Sequence, residues 1–162
     1  MILIALGSNL PSKAGGPRET LAAALDALAL QGIAVSAVTP FYETPAWPDP
    51  SDPRYINAVA SVTTTLSPRE LMERLQMIET LLGRERSARN APRTLDLDVI
   101  DYDGRVEEGP PVLPHPRMQS RAFVLLPLFD IAPNWRHPVS GESVAGLIAK
   151  LPGGSDGVVR LG

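Results

Sequence analysis

The densest group of residues that could do chemistry lies between positions 84 and 98. Four arginines fall within ten residues, and two aspartates follow them: Arg84, Arg86, Arg89, Arg93, Asp96 and Asp98. The guanidinium fork of arginine matches the oxygens of a phosphate group, and closely spaced carboxylates bind hard cations such as Mg²⁺. An anion site beside a cation site is the arrangement that phosphoryl transfer requires.

The alternation of polar and apolar residues from 94 to 101 predicts a β-strand. Asp96 and Asp98 then share one face, and the other face carries the apolar residues Leu95, Leu97 and Val99. Two residues of strand rise separate the aspartates by roughly 7 Å. The two carboxylates could therefore converge on one divalent cation or on a pair of cations.

A purely structural role is the alternative for the same residues. The arginines could form a solvated loop, and Asp96 and Asp98 could be the wet face of an edge strand that these arginines neutralise. An Asp-x-Asp pair alone recurs by chance. Pro92 and Thr94, which flank Arg93 just before the aspartates, favour the functional interpretation without excluding the other.

Composition narrows the class of protein. The chain has 162 residues, of which 44% are hydrophobic, and these values predict one folded domain spanning 1–162. A net charge of −3 argues against general nucleic-acid binding. There is no cysteine, no long apolar run and no signal-peptide pattern. We therefore expect a cytoplasmic protein without membrane or nucleic-acid partners. Because no large apolar surface stripe is left unassigned, we also expect a monomer.

The elements before Asp98 predict the order βαββαβ. A capping box at Ser67 and Glu70 with Pro68 marks the start of the second helix, and Gly83 marks its end. The predicted elements are strand 1–6, closed by a turn at 7–9, helix 17–30, strand 33–42 bent near Pro40, strand 55–65, helix 68–82 and strand 94–101. This order predicts an α+β ferredoxin-like sandwich, with both helices packed on one face of an antiparallel sheet.

The remainder predicts a C-terminal extension of short strands and helices. Asp103 and Gly104 favour a hairpin turn into a short partner strand. Residues 122–131 are predicted to form an apolar helix that is kinked or restarted at Pro127, and residues 144–151 a last short helix. Two proline-rich stretches hold Trp47 and His115. Trp47 could pack on the domain or border a ligand pocket. A histidine in a loop is ordinarily structural, but Arg117 and Arg121 lie near His115.

Six motifs, in order along the chain, resemble one family. They are Leu6-Gly7-Ser8-Asn9-Leu10, Phe41-Tyr42-Glu43-Thr44-Pro45, Tyr55-Ile56-Asn57-Ala58, Gly83-Arg84-Glu85-Arg86, Pro92 to Asp98, and Pro114-His115 with Arg121-Ala122-Phe123. Together they resemble 6-hydroxymethyl-7,8-dihydropterin pyrophosphokinase of folate biosynthesis. The resemblance implies transfer of a pyrophosphoryl group from ATP to the hydroxymethyl oxygen of the pterin, with release of AMP.

The resemblance also implies a role for each matching residue. Asp96 and Asp98 would hold two Mg²⁺ ions, and the catalytic set would be these two aspartates with Arg84 and Arg93. The residues implied to bind ATP are Gln76, Glu79, Arg84, Arg86, Arg93, Val99, His115 and Arg121. The residues implied to bind the pterin are Thr44, Pro45, Trp47, Tyr55, Asn57 and Phe123. Without the resemblance, Tyr55 and Phe123 would be read as ordinary packing residues.

The chain departs from the family pattern beside the arginines. Asn90 and Ala91 replace a tryptophan and a glycine found in some members, Pro116 replaces a common tyrosine, and the 84–93 segment is one residue short. These changes leave the role of Arg89 unassigned.

Two other functions remain open on the residues alone. A nucleotidyltransferase could use the same Asp-x-Asp pair and would release pyrophosphate. An RNA-binding module could have the same order of elements, but the chain lacks the aromatic string of such modules. No P-loop or Gly-x-Gly-x-x-Gly motif is present. Arginines and a metal would therefore have to replace those nucleotide cradles.

Overall fold

The computed structural model describes residues 1–46, 51–83, 94–154 and 157–161. The elements within these ranges are β1 (Ile2–Ser8), α1 (Pro17–Leu30), β2 (Ala34–Val38), β3 (Tyr42–Thr44), β4 (Tyr55–Thr63), α2 (Pro68–Leu81), β5 (Asp96–Tyr102), a 3₁₀ turn (Met118–Ser120), α3 (Ala122–Ile131), α4 (Val144–Ala149) and β6 (Val159–Arg160). No helix in the described part of the chain is both long and apolar enough to cross a membrane.

The strands form one antiparallel sheet in the order β5-β1-β4-β3-β6. Residues 55–57 of β4 pair with β3, and residues 60–63 of the same strand pair with β2. The segment 33–42, predicted as one bent strand, is thus two strands that lie end to end along β4. Pro40 falls in the gap between them, where its missing N–H removes no pairing bond. Beside it, Thr39 bonds Val59 through both its backbone N–H and its hydroxyl oxygen.

Helices cover both faces of the sheet. On one face, α1 and α2 pack on alternate residues of the strands, such as Ile4 and Leu6 of β1 and Leu97 of β5. On the opposite face, α3 and α4 pack on Leu3, Val59 and Ile100, in a second cluster. The prediction of two helices on one face is borne out for α1 and α2. The C-terminal extension adds a second helical layer on the other face.

The ends of α1 and α2 follow from local sequence. The capping box at α2 is complete: Glu70 N–H donates to Ser67 Oγ at 3.2 Å, and Ser67 N–H donates to Glu70 Oε1 at 3.0 Å. Gly32 and Gly83 follow the two helices with φ of 78° and 94°, a region that favours glycine. Both helices therefore end where the sequence predicts a stop.

Two predicted local features differ from the structure. Gly7 and Ser8 belong to β1 instead of to a turn, because both pair with β4. After the turn at Asp103 and Gly104, no strand pairs back on β5 in the described residues. The next pairing there is an isolated bridge between Glu107 and Leu113, in a stretch rich in proline that lacks donors for a longer ladder.

Candidate active site

A cavity of about 610 Å³ opens on the sheet face that carries α3. Its floor is formed by β1, β4 and β5, and its walls come from the ends of β3 and α3. The lining residues are Ala5, Leu6, Gly7, Thr44, Pro45, Tyr55, Asn57, Asp96, Asp98, Arg117, Ser120, Arg121, Ala122 and Phe123. This size suits a small-molecule site with a few polar groups on an otherwise apolar lining.

The residues of β1 that line the cavity floor include Ala5 and Gly7, whose small size leaves room for a ligand. Gly7 pairs with Asp96 on one side and with Asn57 on the other, and Ala5 pairs with Asp98. A Cβ at Gly7 would lie 2.8 Å from Asn57 Oδ1, which is too close for any side chain without movement of the asparagine. The row Asp96-Gly7-Asn57 therefore crosses three strands, with about 10 Å between its acidic and amide ends.

The two aspartates are positioned by strand alternation. Asp96 and Asp98 line the cavity, and the residues between and around them, Leu95, Leu97 and Val99, are buried against the α1 and α2 layer. The predicted division of this strand into a polar and an apolar face is confirmed.

Glu79 of α2 supports the strand from its open edge. β5 is the last strand of the sheet, so its outward N–H groups have no neighbouring strand in the described part of the chain. Leu97 N–H instead donates to Glu79 Oε2 at 2.8 Å, and Glu79 is buried. Because Leu97 stands between Asp96 and Asp98, this bond fixes the backbone that carries both carboxylates.

The opposite end of the cavity is a hydrogen-bonded polar edge. Thr44 and Asn57 are buried, and Asn57 Nδ2 donates to Thr44 Oγ1 at 2.7 Å. Thr44 also pairs with Tyr55, the first residue of β4, whose side chain lines the cavity. Phe123, in the first turn of α3, lines the cavity as well. An aromatic ring from β4 and one from α3 thus lie beside a fixed amide.

Two arginines form the remaining wall, and His115 lies close to them without lining the cavity. Arg117 and Arg121 both line the cavity, and the Arg121 guanidinium lies 5.3 Å from the centre of the Phe123 ring, a cation–π contact. The cavity therefore combines two carboxylates with two guanidinium groups among the described residues.

His115 stays neutral near neutral pH. Burial and the nearby Arg121 lower its pKa to about 4, and Asp96 acts in the opposite direction. Its Nδ1 accepts the backbone N–H of Arg117 at 3.1 Å, so the neutral ring carries its proton on Nε2. An anion bound at this wall would stabilise the charged ring and raise the pKa.

The structure brings eight of the predicted site residues to the cavity: Thr44, Pro45, Tyr55, Asn57, Asp96, Asp98, Arg121 and Phe123. Gln76 is exposed on α2. The Val99 side chain lies in the core and does not face the cavity, so only its backbone is available to a nucleotide. The predictions for Trp47, Arg84, Arg86, Arg89 and Arg93 lie outside the described residues.

Six lining residues had no predicted part in binding: Ala5, Leu6, Gly7, Arg117, Ser120 and Ala122. Gly7 is predicted from the sequence to shape the floor of the site without reacting, and the register of β1 against its neighbours adds Ala5 to that floor. Arg117 is noted in the sequence only as a neighbour of His115, and its position two residues after His115 and four before Arg121 is the signal for its place in the wall.

The donor set fits a magnesium ion that is shared with a substrate. Among the described residues, no group of three or more histidine, aspartate or glutamate side chains could hold a metal ion. Asp96 and Asp98 alone supply two hard oxygen donors on one face. Mg²⁺ commonly binds in this way, through one or two carboxylates with the remaining ligands from water and phosphate.

Comparison with known proteins identifies the family. Residues 3–133 match the model of the 7,8-dihydro-6-hydroxymethylpterin-pyrophosphokinase (HPPK) family. The chain is 41% identical over 162 residues to the 2-amino-4-hydroxy-6-hydroxymethyldihydropteridine pyrophosphokinase of Pseudomonas aeruginosa, covering 99% of this chain and 96% of the relative. Identity to the protein of the same name from Methylorubrum extorquens is also 41%, over 91% of each chain.

Solved structures agree at the level of the fold. The crystal structure of Plasmodium falciparum HPPK-DHPS wild type with SDX-DHP aligns with a TM-score of 0.70 at 12% identity, over 98% of this chain and 46% of that one. This chain thus spans less than half the length of that protein. On the family match and the two close relatives, the chain belongs to the HPPK family, whose reaction transfers pyrophosphate from ATP to 6-hydroxymethyl-7,8-dihydropterin in folate biosynthesis.

Proposed function

We propose that the cavity holds the pterin at its Thr44 and Asn57 end and the ATP triphosphate at its aspartate end. One observation carries the proposal: Asp96 and Asn57 flank Gly7 in one row of the sheet, facing one cavity. A hydroxymethyl group on a pterin bound at the amide end would then point along the floor toward the carboxylates. Transfer between two substrates depends on such fixed proximity.

The pterin end would recognise its ligand by stacking and by hydrogen bonds. Tyr55 and Phe123 would contact the two faces of the flat ring, while Asn57 and the backbone around Thr44 would bond its polar edge. Pro45 lines the same end, and Trp47 is proposed to border it. Stacking supplies affinity, and a buried polar edge rejects rings that cannot complete its hydrogen bonds.

The aspartate end would bind the reacting phosphates. Asp96 and Asp98 would hold two Mg²⁺ ions, which neutralise the triphosphate charge and lower the pKa of the pterin hydroxyl when bound. Arg121 and the Nε2–H of neutral His115 would donate to phosphate oxygens from the opposite wall. Arg84, Arg86 and Arg93 are proposed to complete this set, with Arg84 and Arg93 contacting the transferred group.

The nucleotide would extend beyond the triphosphate toward α2. Gln76, Glu79 and the backbone of Val99 are the proposed contacts there. Glu79 also bonds Leu97 N–H, so any contact with the nucleotide would be coupled to the strand that carries the aspartates.

The strand order supports a finer description of the fold. The first six elements follow the order βαββαβ, if β2 and β3 are counted as one interrupted strand, and β5 and β4 flank β1. We propose that this unit is ferredoxin-like and that residues 1–162 form a single domain. The monomeric state and the cytoplasmic location remain predictions from the sequence.

Analysis of the released nucleotide tests the reaction. The protein is mixed with Mg²⁺ and ATP, with and without 6-hydroxymethyl-7,8-dihydropterin. AMP that forms only with the pterin, in step with a pterin diphosphate, is the expected result. ADP would instead indicate transfer of a single phosphate. Free pyrophosphate would indicate nucleotidyl transfer, and either product would overturn the proposal.

A further inference from the structure

The C-terminal segment 157–161 lies against the pterin end of the cavity, although the family match ends at residue 133. β6 pairs with β3, with Arg160 opposite Tyr42 and Val159 opposite Glu43. Leu161 N–H then donates to the Phe41 carbonyl at 2.8 Å. The strand that ends in Thr44 is therefore held between β4 on one side and the C-terminal segment on the other.

Gly157 contacts both ends of the connection between β3 and β4. At one end, a Cβ on Gly157 would lie 3.1 Å from Pro45 Cγ and 3.4 Å from Pro45 Cδ. At the other end, Arg54 donates from Nη2 to the Gly157 carbonyl, and its Nε donates to Glu43 Oε1 at 2.8 Å. Glu43, before the connection, and Arg54, after it, are thus bonded to each other. Gly157 lies against Pro45 and accepts a hydrogen bond from Arg54.

Asp130 extends these contacts to α3. The Tyr42 hydroxyl donates to Asp130 Oδ2, and Arg160 Nε lies 3.4 Å from the same oxygen. Tyr42 is buried, and Asp130 stands near the C-terminal end of the helix whose first turn carries Phe123. The C-terminal strand therefore contacts the two elements that bear Thr44 and Phe123.

We propose that residues 157–161 act as a positioning clamp for the pterin. The clamp holds Thr44 and Pro45 against Tyr55, which follows Arg54 directly, so that the polar edge and the stacking ring are set before the ligand arrives. Preorganisation of this kind increases affinity, because the binding-site residues lose less conformational entropy when the ligand binds. The inference rests on the proposed placement of the pterin at this end of the cavity. It assigns Gly157 and Arg54 as positioning residues, because neither lines the cavity.

Two glycines provide a matched pair of variants. Gly157 has φ of 73° and Gly154 has φ of 60°, so alanine at either site must adopt a left-handed backbone. Only at Gly157 does the added Cβ press on Pro45, since none of the described residues lies within 4 Å of the corresponding position at Gly154. The difference between Gly157→Ala and Gly154→Ala therefore isolates the contact with Pro45.

Binding of each substrate is measured separately by titration. We expect Gly157→Ala to raise the Kd for the pterin, in the presence of Mg²⁺ and a non-hydrolysable ATP analogue, by roughly five- to tenfold. The Kd for the ATP analogue alone should stay within about twofold of the wild-type value, and Gly154→Ala should leave both constants within that range. Steady-state KM for the pterin should rise without a matching rise in KM for ATP.

Arg54→Ala is the second variant, because it removes the two Arg54 bonds without straining the backbone. We expect it to raise the pterin Kd by roughly threefold and to leave the ATP analogue unaffected. Wild-type pterin binding in both Gly157→Ala and Arg54→Ala would overturn the clamp, as would an equal loss of pterin and ATP analogue. Failure of the wild-type protein to bind the pterin would instead overturn the proposed function.

Discussion

The two faces of the central sheet are built from the same three strands and serve opposite purposes. On the α1 and α2 face, Ile4 and Leu6 of β1 lie beside Leu97 and Val99 of β5 in a continuous apolar core. On the other face, Ala5 and Gly7 lie opposite Asp98 and Asp96 and leave a cavity. The apolar residues and the cavity residues alternate along β1 and β5, so consecutive residues of each strand face opposite sides of the sheet.

The cavity exists because helices cover only part of its face. Leu3, Val59 and Ile100, on that same face, are buried beneath α3 and α4, whereas no helix of the described residues covers the ends of the strands nearer Gly7 and Asp96. The C-terminal helices therefore act as a partial cover that leaves a polar site at one end of the sheet. Substitutions on the two faces should separate stability from catalysis, because one face is packed and the other binds.

The largest effect on catalysis is expected from the carboxylates. Asp96→Ala and Asp98→Ala should each lower kcat/KM by roughly a thousandfold or more, because each removes a proposed metal ligand at the reacting phosphates. Thermal unfolding should change little, since both side chains face the cavity. The measurements are steady-state kinetics over a range of Mg²⁺ concentrations and circular dichroism with heating. Activity near the wild-type level in either variant would contradict the assignment.

Ile4→Ala is the mirror experiment on the packed face. Ile4 is fully buried, and loss of a buried aliphatic side chain of this size costs about 2–5 kcal/mol of the free energy of unfolding. Below the unfolding transition, kcat should remain near the wild-type value, because Ile4 does not line the cavity. Urea denaturation gives the first quantity and initial rates give the second. A large fall in kcat with unchanged stability would mean that the two faces are not separable.

Local sequence predicts the packed face better than the open one. The limits of α1 and the capping box of α2 depend on neighbouring residues, so spacing alone places them. The face shared by Asp96 and Asp98 likewise follows from alternation within one strand. Gly7 is different, because its place in the floor depends on pairing with residues far along the chain, Asn57 and Asp96. No local pattern carries that information.

The same limit applies to contacts that cross between elements. The bond from Leu97 to Glu79 requires α2 to lie along the open edge of β5, and pairing of β6 with β3 requires the chain to return to the opposite edge of the sheet. The division of 33–42 into two strands also depends on which part of β4 each strand meets. These contacts depend on how distant segments assemble into the sheet, so local sequence patterns do not predict them.

Gly7→Ala should affect the open face at an intermediate level. The added methyl would lie 2.8 Å from Asn57 Oδ1 and displace the side chain that bonds Thr44. We expect roughly tenfold weaker binding of the pterin with little change for ATP. Gly16→Ala is the control, because its nearest neighbour, Glu19 Oε1, would lie at an ordinary 3.5 Å. Equal binding of the pterin by wild type and Gly7→Ala would remove Asn57 from the recognition edge.

Glu79 connects α2 on the packed face to the strand that carries Asp96 and Asp98. A conservative replacement of Glu79 should have the smallest effect on kcat/KM. Its carboxylate reaches β5 from α2 and accepts Leu97 N–H at 2.8 Å, directly between the two aspartates. Glu79→Gln keeps an acceptor, so we expect a loss in kcat/KM of only about two- to threefold. Glu79→Ala leaves the buried N–H without this partner, which costs about 1–3 kcal/mol of stability.

The pair of variants distinguishes support of the strand from contact with the nucleotide. If Glu79 acts through Leu97, Glu79→Ala should raise the Mg²⁺ concentration needed for half-maximal activity, and Glu79→Gln should restore it. Amide hydrogen exchange at Leu97 should accelerate in the alanine variant alone. Equal weakening of nucleotide binding in both variants, with slow exchange retained at Leu97, would show instead that the charge of Glu79 serves the nucleotide. The buried carboxylate would then act in nucleotide binding, although it approaches β5 from α2 at the edge of the sheet.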